Sequence, residues 1–375
     1  METYCDTFRT INIVRASLPL SPIAIETIRG FGEDDLDEAL RVFRRSAQRL
    51  LAGAPQQRSA CEPFPGLYQA ARAALLQQLS PKDFFTQWFQ PFRVATPGFL
   101  TAYYEPEIDA RLTPSRNFNT PILSRPPDLV TLNETPIHSV CGEVLTSARR
   151  LENGALAPYP DRRRIEEDTT ATNAIPLAYV HDPVELFLMQ VQGSARLRLE
   201  NDQILTLTYD GRNGWPYTSI GKRLIEKGLI SSKEMTLELL KSTLRTMGVD
   251  PGAPGRLLMQ ENRSYIFFSI DHSLERQLGP IGGENCPLTP LRSIAVDRGI
   301  WCYGLPFWIS GRIPWQGAKE TTFERLMIAQ DTGSAIIGSA RADLFFGAGP
   351  QAGQRAGQIR HEADFVVFLP VESAR

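Results

Sequence analysis

The sequence predicts a mainly β protein with helices, an α+β fold whose helices gather at the start of the chain. Three observations carry this: helical periodicity in the first hundred residues, short apolar runs broken by Pro and Gly from Phe99 onward, and strand-like runs again after a short helical stretch. Over residues 34–51, Leu36, Leu40, Phe43, Ala47, Leu50 and Leu51 recur at three- and four-residue steps, acidic residues crowd the start, and Gly53, Ala54 and Pro55 end the helix. A second helix is predicted over 67–79, and Pro81 opens a third through Phe85 and Trp88. Between 99 and 210, runs such as Phe187-Leu188-Met189 and Ile204-Leu205-Thr206-Leu207 read as strands between turns. Helices follow over 219–227, with Gly228 as its stop, and over 232–247, closed by Asp250-Pro251-Gly252. Strands are predicted at 265–270, 293–296, 326–329 and 365–369. This order fits a domain interrupted by an inserted β domain as well as two consecutive domains, and periodicity does not choose between them.

The chain has 375 residues, a net charge of -2 and 22% charged residues. That argues against nucleic acid as partner, since phosphate-driven affinity needs clustered Lys and Arg. The densest basic cluster, Arg162 to Arg164, is followed at once by Glu166, Glu167 and Asp168 and reads as a solvated, self-compensating face. Cys5, Cys61, Cys141, Cys286 and Cys302 are odd in number and widely spaced, and His138, His181, His272 and His361 are scattered. Neither a disulfide framework nor a metal site is expected. No run approaches the roughly 18 apolar residues of a membrane span. Glu2 and Asp6, then Arg15, Pro19 and Pro22, interrupt the start, so no export signal is read there. Cys5 has no apolar segment ahead of it and is not read as a lipid-anchor cysteine.

Chemistry concentrates near the end. Asp331 closes an apolar strand and is followed by Thr332-Gly333-Ser334. Twelve residues later Asp343 precedes Leu344-Phe345-Phe346; a carboxyl against aromatics loses solvation, which raises its pKa and suits a general acid. Asp297 ends the strand 293–296. Any one of these is explained by turn hydrogen bonds, but three strand-end acids within fifty residues suggest a site. Upstream, Tyr103-Tyr104-Glu105, Gln190-Val191-Gln192-Gly193-Ser194 and the stretch from Tyr209 through Asn213 to Tyr217 combine aromatic faces with amides, as sugar binding requires.

Taken together, the segments 101–106, 183–196, 209–221, 288–297 and 326–369 resemble the membrane-bound lytic murein transglycosylase A family. The resemblance implies a double-psi β-barrel domain, residues 1–105 with 250–375, interrupted by a second β-barrel domain, 106–249, with a glycan groove between them. It implies a peptidoglycan lyase without cofactor or metal, working on glycan strands in the periplasm or cell envelope, and a monomer is expected. Asp343 falls on the catalytic acid position and would protonate the glycosidic oxygen, then take the proton of the muramoyl C6 hydroxyl as that oxygen closes a 1,6-anhydro ring. An intramolecular nucleophile removes the need for a second carboxylate. Asp331 and Asp297 would be supporting acids. Tyr103, Tyr104, Glu105, Gln190, Gln192, Gly193, Ser194, Asn213 and Tyr217 would bind substrate. The sequence departs from the family pattern at Ala195, where Gly is usual, at Ile337, where Lys is frequent, and in lacking the anchor cysteine.

Two rival readings are weighed. Asp331-Thr332-Gly333-Ser334 matches an aspartic protease signature, but such enzymes pair two aspartates and no second Asp-Thr-Gly or Asp-Ser-Gly occurs. A glycan-binding module without catalysis is the other, against which stands the acid beside Phe345 and Phe346.

Overall fold

The computed structural model describes residues 18–76, 78–132, 137–139, 142–168, 170–232, 234–271 and 279–371. The chain forms two compact units: residues 1–104 with 277–375, and residues 105–276. Cys5, Cys141 and His272 lie outside the described residues. Cys61, Cys286 and Cys302 are buried thiols. Among the described residues no helix is long and apolar enough to cross a membrane.

In the first unit the chain runs through β1 (Leu20–Pro22), the helices α1 (Leu36–Leu51), α2 (Pro65–Leu76) and α3 (Pro81–Trp88), then β2 (Phe89–Val94) and β3 (Gly98–Glu105). Asp35 caps α1 by accepting from the Glu38 amide, and Ser80 caps α3 ahead of Pro81. The apolar faces of these helices meet in a cluster of Phe43, Phe84, Phe85 and Phe89, with ring centroids 5.2–6.2 Å apart.

The second unit carries β4 (Glu107–Arg111), β5 (Thr120–Leu123), the short strands β6 (Leu129–Thr131), β7 (Ile137–His138), β8 (Val144–Leu145), β9 (Ser147–Arg150) and β10 (Leu156–Pro158), then α4 (Arg162–Glu167), β11 (Pro176–Val180), α5 (Pro183–Gln192), β12 (Ser194–Arg198), β13 (Ile204–Arg212), α6 (Ile220–Glu226), α7 (Leu237–Thr246), α8 (Pro254–Gln260) and β14 (Ile266–Asp271). Six strands run in the order β14-β13-β12-β4-β11-β5, and a single bridge from Ser124 to Phe268 joins the two edges. The sequence places the return to the first unit at 250. Helix α8 and strand β14 instead belong to the second unit, because β14 pairs along β13 from Thr206 to Arg212.

Residues 187–189 are helical, not a strand as the sequence reading has them. Helix α5 has regular punctuation: Asp182 accepts from the Val184 amide, Pro183 opens the first turn, and Gly193 closes it at φ 82°. Its amphipathic period is missing because both sides are covered. Leu186 and Met189 enter the core of the six-stranded sheet, while Val184, Phe187 and Leu188 enter a second core with α6, α7 and α8.

The chain then returns to the first unit through β15 (Ser293–Val296), β16 (Pro306–Ile313), β17 (Thr321–Asp331), β18 (Arg341–Ala348), α9 (Gly349–Ala356) and β19 (Arg360–Pro370). The order β19-β16-β17-β15-β18-β3 closes on itself where Arg360–Ala363 pair with Thr101–Gly98. This is a closed barrel of six strands, which leaves no edge. Strands β15 and β17 are parallel, and the antiparallel pairs around the rest of the ring make β18 and β3 parallel too. The barrel is tied to α1 by Arg292, fully buried, whose guanidinium bonds Asp34 at 2.6 and 2.8 Å and Glu38 at 2.8 Å.

Candidate active site

Strand register gathers the acids. Ala295 of β15 stands opposite Asp343 of β18 on one side and Asp331 of β17 on the other. Asp343 and Asp331 therefore flank one central strand, about 10 Å apart between Cα atoms. Asp331 ends β17, and Asp297 follows β15 by one residue. Asp343 lies inside β18, not at a strand end.

Each acid is held differently. Asp297 Oδ1 accepts from the Gly299 amide at 2.9 Å and Oδ2 from the Gly338 amide at 2.8 Å, so it pins two loops. Asp331 is buried; its Oδ1 accepts from Arg58 Nη2 at 2.7 Å and from the Gly283 amide at 2.8 Å, and its Oδ2 from the Tyr103 hydroxyl at 2.8 Å. Asp343 is partly exposed. Its Oδ1 accepts from Thr101 Oγ1 at 2.5 Å, and among the described residues no bond reaches Oδ2. Burial pushes the Asp343 carboxyl up to about 6, with nearby Asp331 adding to the rise, against the Thr101 hydrogen bond and the Arg341 cation. Asp343 thus combines an oxygen without a hydrogen bond from the described residues, partial exposure and a proton retained towards neutral pH.

The upstream residues divide. Alternation along β3 sends Tyr103 and Tyr104 to opposite faces. Tyr103 is partly exposed, bonds Asp331 and sets its ring 5.3 Å from that of Phe345; burial, then Asp331, drive its hydroxyl pKa well up. Tyr104 is buried under α9, where a Cβ on Gly353 would come within 2.6 Å of its ring, so it packs and does not face substrate. Thr101, Arg58 and Arg341 join this site although the sequence does not single them out as site residues; Thr101 and Arg341 carry a signal in their places in the segments 101–106 and 326–369, and Arg58 carries none.

In the second unit several expected sugar ligands are structural. Asn213 is fully buried, donates to the carbonyls of Pro160 and Arg263 at 2.9 Å each, and accepts from the Tyr265 amide. Gln190 accepts from Arg162 at 2.6 Å and donates to the Ile266 carbonyl. Glu105 is buried in an ion pair with Arg196 at 2.7 Å. Ser194 is buried at the start of β12, and Gly193 serves as the left-handed end of α5. Gln192 and Tyr217 keep partial exposure. Arg162, read in the sequence as solvated, is buried between the rings of Phe187 and Tyr265 and bonds the Asn262 and Ser264 carbonyls; only Arg163 and Arg164 are exposed.

Comparison with known proteins accords with this layout. A family model described as the MltA specific insert domain matches residues 99–269, and one described as the 3D domain matches 292–369, the segment holding all three aspartates. The crystal structure of a membrane-bound lytic murein transglycosylase from Agrobacterium tumefaciens superposes with a TM-score of 0.83 at 32% identity, covering 94% of this chain and 97% of that one. The chain belongs to the MltA family. MltA from Neisseria gonorrhoeae matches with a TM-score of 0.75 at 25% identity over 95% of this chain and 93% of its own. Membrane-bound lytic murein transglycosylase A of Vibrio cholerae is 31% identical over 271 residues, 70% of this chain. The match spans 62% of that relative's length. Within this MltA-family fold, the departure at Ala195 faces inward: its side chain is fully buried in the core of the six-stranded sheet of the second unit. Ile337 is 75% exposed on the loop that Asp297 pins at Gly338.

Proposed function

We propose that the protein is a lytic transglycosylase that cleaves the β-1,4 bond between N-acetylmuramic acid and N-acetylglucosamine in peptidoglycan and leaves 1,6-anhydromuramoyl ends. Asp343 is the acid and then the base. The observation that carries this reading is the contrast between Asp343, open at Oδ2 and raised to about 6, and Asp331 and Asp297, whose oxygens already accept hydrogen bonds. Hydrolysis by two carboxylates needs a second one free to act as nucleophile or base. Asp331 is engaged by Arg58, Gly283 and Tyr103 and is poorly suited to that role. A single carboxyl suffices when the substrate's own C6 hydroxyl attacks.

Tyr103 in the first unit, and Gln192 and Tyr217 in the second, retain the exposure that sugar contact needs. The substrate puts the work of this enzyme in the cell envelope. Digestion of purified peptidoglycan by the wild type and by Asp343→Asn, with products weighed by mass spectrometry, tests the reading. Anhydromuramoyl products from the wild type alone support it; reducing-end products, heavier by one water, would replace transglycosylation with hydrolysis.

A further inference from the structure

The Thr101 hydroxyl links two groups that differ in charge. Arg341 Nη2 donates to Thr101 Oγ1 at 2.7 Å, and Thr101 Oγ1 donates its proton to Asp343 Oδ1 at 2.5 Å. The arginine is itself fixed: Nη1 donates to the Ala342 carbonyl at 2.5 Å and to that of Phe99 at 3.4 Å, and the guanidinium lies 5.4 Å from the centre of the Phe99 ring. A hydroxyl has one proton and two lone pairs. With a permanent cation on one lone pair, its proton is the better donor and is directed to the carboxyl. An oxygen that already accepts such a bond is the poorer place for the carboxyl's own proton.

We propose that Thr101 is a positioning residue that gives the two oxygens of Asp343 separate tasks, with Oδ1 kept as acceptor and Oδ2 as the oxygen that delivers and recovers the proton. The proposal rests on the reading of Asp343 as acid and base. In the forward step the Oδ2 proton moves to the glycosidic oxygen as the bond from that oxygen to the muramoyl C1 breaks. The C6 oxygen then forms its bond to C1 and its proton passes to Oδ2, so the carboxyl is restored and no water is consumed. Between the two transfers Asp343 is a carboxylate, and the Thr101 donor stabilises that charge. The other groups facing Asp343 are Arg341 on its own strand, Asp331 on β17 and Tyr103 on β3, with Arg58 acting through Asp331.

The test measures kcat, KM and the pH profile on peptidoglycan for the wild type, Thr101→Val, Thr101→Ser, Arg341→Met and Asp343→Asn. Losing a hydrogen bond to a charged group predicts a fall in kcat of about 10- to 100-fold in Thr101→Val. KM should change little, and the alkaline limb should move to higher pH because the carboxylate has lost a donor. Thr101→Ser should restore most of kcat and the wild-type limb. Arg341→Met should move the limb in the same direction by a smaller amount, and it carries the test if Thr101→Val does not fold. A wild-type limb in both Thr101→Val and Arg341→Met overturns the proposal, as does a loss in Thr101→Val that Thr101→Ser fails to repair. If Asp343→Asn is inactive while Thr101→Val behaves as wild type, only the role of Thr101 falls. If Asp343→Asn still turns over, the reading of Asp343 falls first.

Discussion

A carboxyl that starts and ends a reaction protonated has to resist ionisation without being sealed from substrate, and Asp343 meets both conditions. In the unfolded chain it ionises at its ordinary value of 3.8; in the folded protein this rises to about 6. Between those values the folded state keeps a proton that the unfolded state has lost, so stability falls as pH rises through that window and stays lower above it. Asp343→Asn should therefore be more stable than the wild type at pH 8, by about 1–3 kcal/mol, the lower end reflecting its partial opening to solvent, and melt at a higher temperature. The gain should fade towards pH 4. Equal melting at pH 8 would contradict the assignment. Glu284, fully enclosed, is raised to about 7 by burial, against hydrogen bonds from Ser46 and Cys286. Glu284→Gln should likewise gain stability over the wild type as pH climbs from 4.5 to about 7, with the gain level above that. The acids themselves were legible in the sequence, because a carboxyl beside aromatics and Gly is conspicuous. Their partners were not. Thr101 lies 242 positions from Asp343, and only the pairing of β3 with β18 joins them. Asn213 and Gln190 misled for a related reason: a buried amide needs partners, and here backbone carbonyls and Arg162 supply them instead of sugar hydroxyls.

Among the elements, helix α1 was legible because one face is apolar, and α5 was not because two cores cover it. Its stop was nevertheless written in Gly193. That residue sits at φ 82° with open space where a Cβ would go, so Gly193→Ala should destabilise by about 1–2 kcal/mol through backbone strain alone. Denaturant titration would read this as a lower midpoint at unchanged slope. The clamp between α1 and the barrel responds more strongly. Asp34 is the closest partner of the fully buried Arg292, and Asp34→Ala leaves that cation with less compensation, an expected loss of about 3–5 kcal/mol. A loss below 1 kcal/mol would mean that Glu38 and the Leu326 carbonyl suffice.

At the scale of the molecule, the barrel is assembled from the two ends of the chain. Strand β19 alone pairs with β2, β3 and β16. A chain ending at 359 should lose the buried environment of Trp301 and Trp308 in near-UV circular dichroism, while the second unit, which holds its own cores and Trp215, keeps its secondary structure. The inserted order was ambiguous in the sequence because strand periodicity reports faces and says nothing about which strand is a neighbour.

That ring also sets a timetable. During synthesis Thr101 leaves the ribosome long before Asp343, and the last strand of the barrel follows later still. At about 5–20 residues per second the interval is on the order of tens of seconds, in which the intervening unit is made and the hydroxyl has no acid to hold. Any fragment released before residue 343 carries Thr101 without the carboxyl it holds in the folded barrel.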